Sequence, residues 1–412
     1  MVCDPGVKVK LSEKTLVKIS ATLTMEQQVV TLHHSPNFLI HLKSKIKGCA
    51  VDEVGLRRWE LDTPFLWVDL DRMERNIETL GAHFVRAGVG WRPHTKGVKV
   101  PAIAHKAIAA GALGVTCAKL GEAEVMVAAG IRDILVANQV VGPRKYVRLV
   151  NLCRQADVKI AVDSDATLAD LGKTAVAKGV RVGILIELDT GMNRAGVKPG
   201  APTVELACRV HETPGLAMRG LMAWEGHACV DETDPGKNTE IARSVGLLIE
   251  TAEQCRHAGL PCDIVSGGGS GTYLVTPFIK GVTEIQAGGA IFNDVMYSGW
   301  GVTTEPSLYL TATVTSRPTP ERILYDAGWK ALPAWFNIPK AMGVEGVREV
   351  APSAEHGKLV LDAPNHAIRA GDRLDFMIGY TDTTLFLHDH LYGIRGDVVE
   401  TVWPIHGRGK LR

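Results

Sequence analysis

The chain has 412 residues, 46% of them hydrophobic and 22% charged, and a formal net charge of +1 at pH 7. This composition belongs to a folded globular protein longer than one average domain. A charge this near balance gives no reason to expect nucleic acid or an acidic membrane surface as partner, and no apolar run is long enough to span a bilayer.

Residues 1–58 show little strand or helix periodicity. Lys8, Lys10, Lys14, Lys18, Lys43, Lys45 and Lys47 outnumber Asp4, Glu13 and Glu26. A basic, acid-poor leader fits a targeting peptide but lacks the arginines of one, and a start upstream of a true Met25 is an equal alternative. The stretch is read as an N-terminal extension, with disorder among the expectations.

From Leu61 the pattern becomes regular. Phe65 to Leu70 reads as a buried strand and Met73 to Ala87 as a helix. The strand leading to Lys96 precedes a helix from Pro101 to Ala110, with proline suited to the first turn. Further strands are expected at Gly114–Lys119, Asp133–Gln139, Val158–Asp163, Val180–Asp189, Leu216–Glu225 and Cys262–Ser266, each of the first five followed by a helical segment. Short apolar runs alternating with helices mean parallel strands covered on both faces. The count is that of a closed (β/α)8 barrel over residues 59–305, and no G-x-G-x-x-G opens the first helix as a dinucleotide fold needs. After Pro306 short alternating runs, from Leu308–Val314 to Glu400–Trp403, predict an antiparallel β domain over residues 306–412. The eight cysteines are scattered with no C-x-x-C pair, which predicts reduced thiols in a cytoplasmic protein, not a disulfide frame or zinc site.

Chemistry concentrates at strand ends. Lys96, in Arg92-Pro93-His94-Thr95-Lys96, sits where barrel enzymes keep reactive groups, and a partly desolvated amine there can form a Schiff base with a carbonyl. A surface lysine is the bland alternative. Ser266, Gly267, Gly268, Gly269, Ser270, Gly271 and Thr272 follow the last expected barrel strand and read as a phosphate cradle of backbone N–H groups and hydroxyls, with a flexible glycine hinge as the bland alternative. The run lacks the Gly-Lys-Ser/Thr ending of a P-loop, which argues against a nucleoside triphosphate. Arg194, near Glu187 and Asp189, can donate to a phenolate or carboxylate. His227, in Trp224-Glu225-Gly226-His227, can move a proton near neutral pH, although a lone histidine is more often structural.

Together these segments resemble pyridoxal-phosphate enzymes with the alanine-racemase-like barrel, closer to the D-threonine aldolase and D-serine dehydratase group. Asp62-Thr63-Pro64, Arg92-Pro93-His94-x-Lys96, Cys117-Ala118-Lys119-Leu120-Gly121-Glu122 and Ala137-Asn138-Gln139 carry the resemblance. So do Asp189-Thr190-Gly191-x-x-Arg194-x-Gly196, Ser266-Gly-Gly-Gly269 and Asp326-Ala-Gly328-x-Lys330. The resemblance implies that Lys96 carries pyridoxal 5'-phosphate, that Arg194 faces its phenolic oxygen and that the glycine loop holds its phosphate, with Trp224 and Gln139 in the cofactor-binding set. It also implies a homodimer acting on a small amino-acid substrate.

Two departures accompany it. The group's His-x-Asp or His-x-Cys metal pair appears here as Tyr380-x-Asp382, so Asp382 is the candidate metal ligand and an oxygen-preferring Mg²⁺ or Mn²⁺ the candidate ion. His356, His366, His388, Asp389 and His390 are alternative donors. Trp224 and Ala290 stand where relatives often carry tyrosines. The expected reaction is a lyase step, cleavage of a D-β-hydroxy-α-amino acid of D-threonine, 3-hydroxy-D-aspartate or phenylserine type into glycine and an aldehyde, with His227 as base. A D-hydroxyamino-acid dehydratase is the near alternative. An amino-acid racemase and a cofactor-holding protein without turnover rank behind it. Trp91, Trp224 and Trp300 would suit a bulky aldehyde portion, or simply belong to the core.

Overall fold

The computed structural model describes residues 53–412; all but the last few residues of the basic leader lie outside the described residues. Eight parallel strands build the barrel: β2 (Gly90–Trp91), β3 (Val115–Cys117), β4 (Asp133–Gln139), β5 (Asp157–Val162), β6 (Val182–Leu188), β7 (Leu216–Ala223), β8 (Ile264–Gly267) and β9 (Glu284–Ile285). Their hydrogen-bonded order is β3-β4-β5-β6-β7-β8-β9-β2. The two ends of the curled sheet meet through a parallel bridge between His94 and Thr116, where the Thr116 N–H donates to the Pro93 carbonyl at 2.9 Å.

Alternation along each strand divides the apolar residues into two sets. Leu135, Ala161, Leu185 and Met222 face one another inside the barrel. Their neighbours Ile134, Val136, Ile160, Val162, Ile184, Ile186 and Leu221 pack outward beneath the helices Leu120–Ala128, Pro143–Cys153, Leu168–Ala177, Ala201–Glu212 and Lys237–His257. Burial on both faces explains why these strands read as continuous apolar runs.

The count of eight barrel strands stands, but the strand β1 (Phe65–Asp69) is not one of them. It pairs antiparallel with β10 (Leu308–Thr319) and parallel with β16 (His390–Arg395), so it belongs to the β domain and not to the barrel. Trp67 stacks on Tyr309 with centroids 4.9 Å apart and donates from its indole N–H to Thr311 Oγ1 at 2.9 Å. The barrel's last strand is instead the two-residue β9, too short to leave a periodic signature. The β-domain sheet also contains β11 (Arg322–Tyr325), β12 (Lys340–Ala341), β13 (Val347–Val350), β14 (Gly357–Leu361), β15 (Arg373–Met377) and β17 (Val398–Pro404). Its β16 and β17 edge binds the start of the described chain: the Gly55 N–H donates to the Val399 carbonyl of β17 at 2.8 Å and the Tyr392 hydroxyl of β16 to Glu53 at 2.7 Å. Within residues 53–58, Glu53, Gly55 and Arg58 are thus tied to the β domain by hydrogen bonds.

The N-terminal end of the barrel interior is closed by charge. Arg92, 2% exposed, donates to both oxygens of Glu284 at 3.1 Å and to Asp133 at 2.6 Å. Lys159 reaches Asp133 at 2.7 Å and Asp157 at 2.8 Å. Each buried ion thus has partners of opposite sign, the condition under which buried charge is tolerated. Arg92 joins β2, β4 and β9 four residues before Lys96, which explains its place in the Arg-Pro-His-x-Lys motif as a structural one.

Candidate active site

Lys96 lies in a 3-10 turn, Thr95–Gly97, entered from β2. The turn is pinned twice: Thr95 Oγ1 donates to the Thr116 carbonyl at 3.0 Å, and the Lys96 N–H donates to His94 Nδ1 at 3.3 Å. Burial, then the charges of Lys96, Lys99 and Arg194, hold the His94 imidazole well below its ordinary pKa. A neutral ring is what an Nδ1 acceptor requires.

The Lys96 side chain is partly exposed, and its Nζ lies 2.9 Å from Asp382 Oδ2. Gly97 makes room for this approach, because a Cβ there would collide with Asp382 Oδ1. Asp382 sits in a short helix, Thr381–Thr384, held to the helix Val295–Gly299 by buried Asp294. One Asp294 oxygen accepts from the Thr381 N–H and hydroxyl, each at 2.7 Å, and the other from the Tyr297 N–H at 2.9 Å. Burial pushes the Asp294 carboxyl up to about 7 despite these three donors. The Tyr380 hydroxyl donates to Asp382 Oδ2 at 2.7 Å, and its ring lies between Phe336 (5.2 Å, stacked) and Tyr297 (5.8 Å, edge-on).

The glycine loop has an internal acid that the sequence reading did not single out. Glu225, 2% exposed, accepts from the Gly268 N–H at 3.2 Å, Thr272 Oγ1 at 2.8 Å and Thr276 Oγ1 at 2.7 Å. Its only sequence signal is an acid at a strand end, just before Gly226 and His227. Trp224 covers the loop from the other side: a Cβ at Gly269 would collide with the indole. Ser266 Oγ accepts from Gln286 Nε2 at 2.9 Å, and Ser270 Oγ accepts from the Ala290 N–H at 2.9 Å. The backbone amides of buried Ser270 and Gly271 find no acceptor among the described residues. Two unpaired amides on buried residues fit the phosphate of an anionic cofactor. The segment after β9 links this loop to Lys96, since Gly288 packs against the His94 backbone while Ala290 bonds to Ser270.

At the end of β6, Gln139 Nε2 donates to Glu187 Oε2 at 2.6 Å and Arg194 Nη2 lies 3.5 Å from Glu187 Oε1. Asp189 Oδ1 fixes the intervening turn by accepting from the Gly191 and Asn193 N–H groups at 3.1 and 2.9 Å. Most of the Arg194 guanidinium stays exposed and able to donate to a ligand.

His227 is not hydrogen-bonded to Lys96. Its Nε2 is 2.6 Å from Glu240 Oε1 and 3.1 Å from Ser244 Oγ, while Nδ1 is buried without a partner among the described residues. Hydrogen bonds from Arg243, then from His227, hold the Glu240 carboxyl down to about 2. Trp91 is core, with its indole N–H on the Ala287 carbonyl at 2.8 Å and its ring near Phe84.

The residues around Asp382 do not fit a divalent ion. Among the described residues no group of three or more His, Cys, Asp or Glu is placed to hold a metal. His388 bonds to the Ala331 carbonyl at 2.9 Å, and Asp389 is paired with Arg408. Asp382 faces an ammonium and a phenol donor, and burial, then the Asp382 charge, pushes the Tyr380 hydroxyl well above its ordinary pKa. A neutral phenol is a poor ligand for a hard cation.

Comparison with known proteins gives the family. Residues 68–295 match the family described as alanine racemase, N-terminal domain, and residues 307–394 match the putative serine dehydratase domain. The chain is 35% identical to a D-threonine aldolase of Arthrobacter sp over 353 residues, covering 85% of this chain and 93% of that one. It is 32% identical to a 3-hydroxy-D-aspartate aldolase of Paracoccus denitrificans over 378 residues, 86% and 94% of the two chains. A crystal structure of D-threonine aldolase from Filomicrobium marinum superposes with a TM-score of 0.83 at 34% identity, covering 87% of this chain and 98% of that one. The chain belongs to the alanine-racemase-like family of pyridoxal-phosphate enzymes.

Proposed function

We propose that the chain is a pyridoxal-phosphate-dependent aldolase that cleaves a D-β-hydroxy-α-amino acid to glycine and an aldehyde. The observation that carries this reading is the amine of Lys96, presented against the Asp382 carboxylate at the end of the barrel that also holds the glycine loop. The likeness to two D-configured hydroxyamino-acid aldolases over most of the chain supports it. Bound there, the cofactor supplies an electron sink for the pair left on Cα when the Cα–Cβ bond breaks.

The chain's own residues would divide the remaining work. Lys96 would tether the cofactor through its amine. The Ser270 and Gly271 amides hold the phosphate, with Ser266, Gly267, Gly268, Gly269 and Thr272 shaping the cradle over Glu225. Trp224 backs the loop. Arg194 donates to the ring oxygen, with Glu187 and Gln139 fixing its direction. His227, steadied by Glu240, is a candidate proton carrier through its unpaired Nδ1. The ammonium and phenol donors around Asp382 do not suit a metal.

The domain limits 59–305 and 306–412, the homodimer and the cytoplasmic location belong to the same proposal. Exposed Phe336, stacked on Tyr380, and its exposed chain neighbours Trp335 and Ile338 support a partner subunit over that face. Burial pushes the Cys117 and Cys262 thiols up to about 12 and about 11, which supports inert, reduced cysteines. The dehydratase reading is supported by the match over residues 307–394. It would require a group that protonates the departing hydroxyl, whereas the carboxylate nearest Lys96 is ion-paired.

Product analysis tests the reading. Purified protein with a panel of D- and L-β-hydroxy amino acids should release aldehyde and glycine from D substrates only. Keto acid plus ammonia would instead identify a dehydratase. The absorbance of lysine-linked cofactor should vanish in Lys96→Ala, and its persistence would refute the tether.

A further inference from the structure

Asp382 stands out because two donors converge on one of its oxygens. Oδ2 lies 2.9 Å from Lys96 Nζ and receives the Tyr380 hydroxyl at 2.7 Å, while Oδ1 rests against the Cα of Gly97. The surroundings hold this arrangement rigidly. Asp294 bonds the Thr381 backbone, and Tyr297 and Phe336 fix the Tyr380 ring on two sides. The carboxylate is therefore held beside the Lys96 amine, where the substrate's reacting groups would have to come.

His227 is less well placed for the same task. Its Nε2 is already bonded to Glu240 and Ser244, on the side of the helix Lys237–His257. The donor set around Asp382 also cannot complete a divalent site, since its nearest polar neighbours are an ammonium and a neutral phenol.

We propose that Asp382, aimed by Tyr380, takes the proton of the substrate's β-hydroxyl, and that this pair does without a divalent ion. The step balances. The O–H proton moves to a carboxylate oxygen of Asp382, and the O–H electron pair becomes the second bond of the aldehyde C=O. The Cα–Cβ bond breaks, and its pair remains on Cα, which later takes a proton to give glycine. Tyr380 is a positioning residue: it keeps Oδ2 directed when Lys96 swings away from the substrate nitrogen. The inference rests on the aldolase reading and deepens it.

The test uses the holoenzyme with a D-β-hydroxy amino acid that it cleaves. If the wild type releases no aldehyde from any such substrate, the aldolase reading itself fails and the inference with it. With cleavage in hand, the purified enzyme should carry no stoichiometric divalent ion, keep its turnover after exhaustive EDTA treatment and not respond to added MnCl2. Loss of turnover on chelation, restored by Mn²⁺, would overturn the inference without touching the aldolase reading. Asp382→Asn should lower kcat about 100-fold or more, in the range of a lost general base, while the cofactor absorbance persists. The variant should lose far less of its exchange of the Cα proton of glycine with D2O than of its cleavage, because that half-reaction has no β-hydroxyl. Equal losses in cleavage and exchange would mean a merely structural role and overturn the assignment. Tyr380→His replaces the phenol with a metal-binding ring, and this variant alone should acquire Mn²⁺-stimulated turnover. Stimulation of the wild type to the same degree would count against the proposal.

Discussion

Replacing Arg92 with methionine tests whether the charged floor of the barrel holds the Lys96 strand in place. Methionine roughly preserves the stem volume while removing the guanidinium. Glu284, 4% exposed, would lose its ion-pair partner, whereas Asp133 would keep Lys159 at 2.7 Å. Removing one member of a buried pair typically costs 3–5 kcal/mol, because the remaining charge stays desolvated and unpaired. For a chain of this size that corresponds to a drop of about 4–7 °C in the thermal midpoint. The assay is circular dichroism melting of holoenzyme at fixed cofactor concentration, since bound ligand itself raises the midpoint. A second substitution, Glu284→Gln, removes the stranded charge, so the double variant should regain roughly half of the loss. A single-variant midpoint within about 1 °C of wild type, or a double variant no better than the single one, would refute the reasoning.

Two further outcomes follow from the site. Burial pushes the Asp294 carboxyl up to about 7, well above the ordinary carboxyl range, so the folded state binds the extra proton and stability should fall as pH rises from about 4 to about 7. The contribution is roughly 4 kcal/mol. Urea unfolding across that range should be visibly flatter for Asp294→Asn, and parallel curves would disprove the assignment. Gly269→Ala would drive a methyl into the Trp224 ring. An overpacking cost of about 1–3 kcal/mol corresponds to roughly 5- to 150-fold weaker cofactor binding, measurable by titrating apoprotein with pyridoxal 5'-phosphate; unchanged affinity would show that the loop does not depend on the indole.

Much of the fold was legible before any coordinates, because both-face burial writes itself as apolar runs separated by amphipathic helices. The strand Asp133–Gln139 and the following helix, Pro143–Cys153, fall almost where the pattern puts them. What the pattern could not carry was partnership. Phe65–Asp69 looks the same whether it lines a barrel or crosses a sheet, and only its pairing with Tyr309 and Tyr392 decides between the two. Two-residue β9 has no period to detect. Within the site, Lys96, Arg194 and the glycine run announce themselves by residue type and by their place after a strand. Glu225 and the Tyr380–Asp382 contact do not, since their meaning lies in which distant group each one faces. Arg92 illustrates the converse: it stands within the recognisable motif, yet its partners Asp133 and Glu284 make it a fastener of the floor.

The membership of β1 in the β domain also bears on biogenesis. Trp67 and its partner Thr311 are separated by 244 positions, with the whole barrel between them. During vectorial synthesis on the ribosome, β1 emerges first as an apolar segment and must wait unpaired until β10 and β16 have been translated. Nascent chains halted before residue 308 should therefore present β1 to holdase chaperones even when the barrel behind it has already closed.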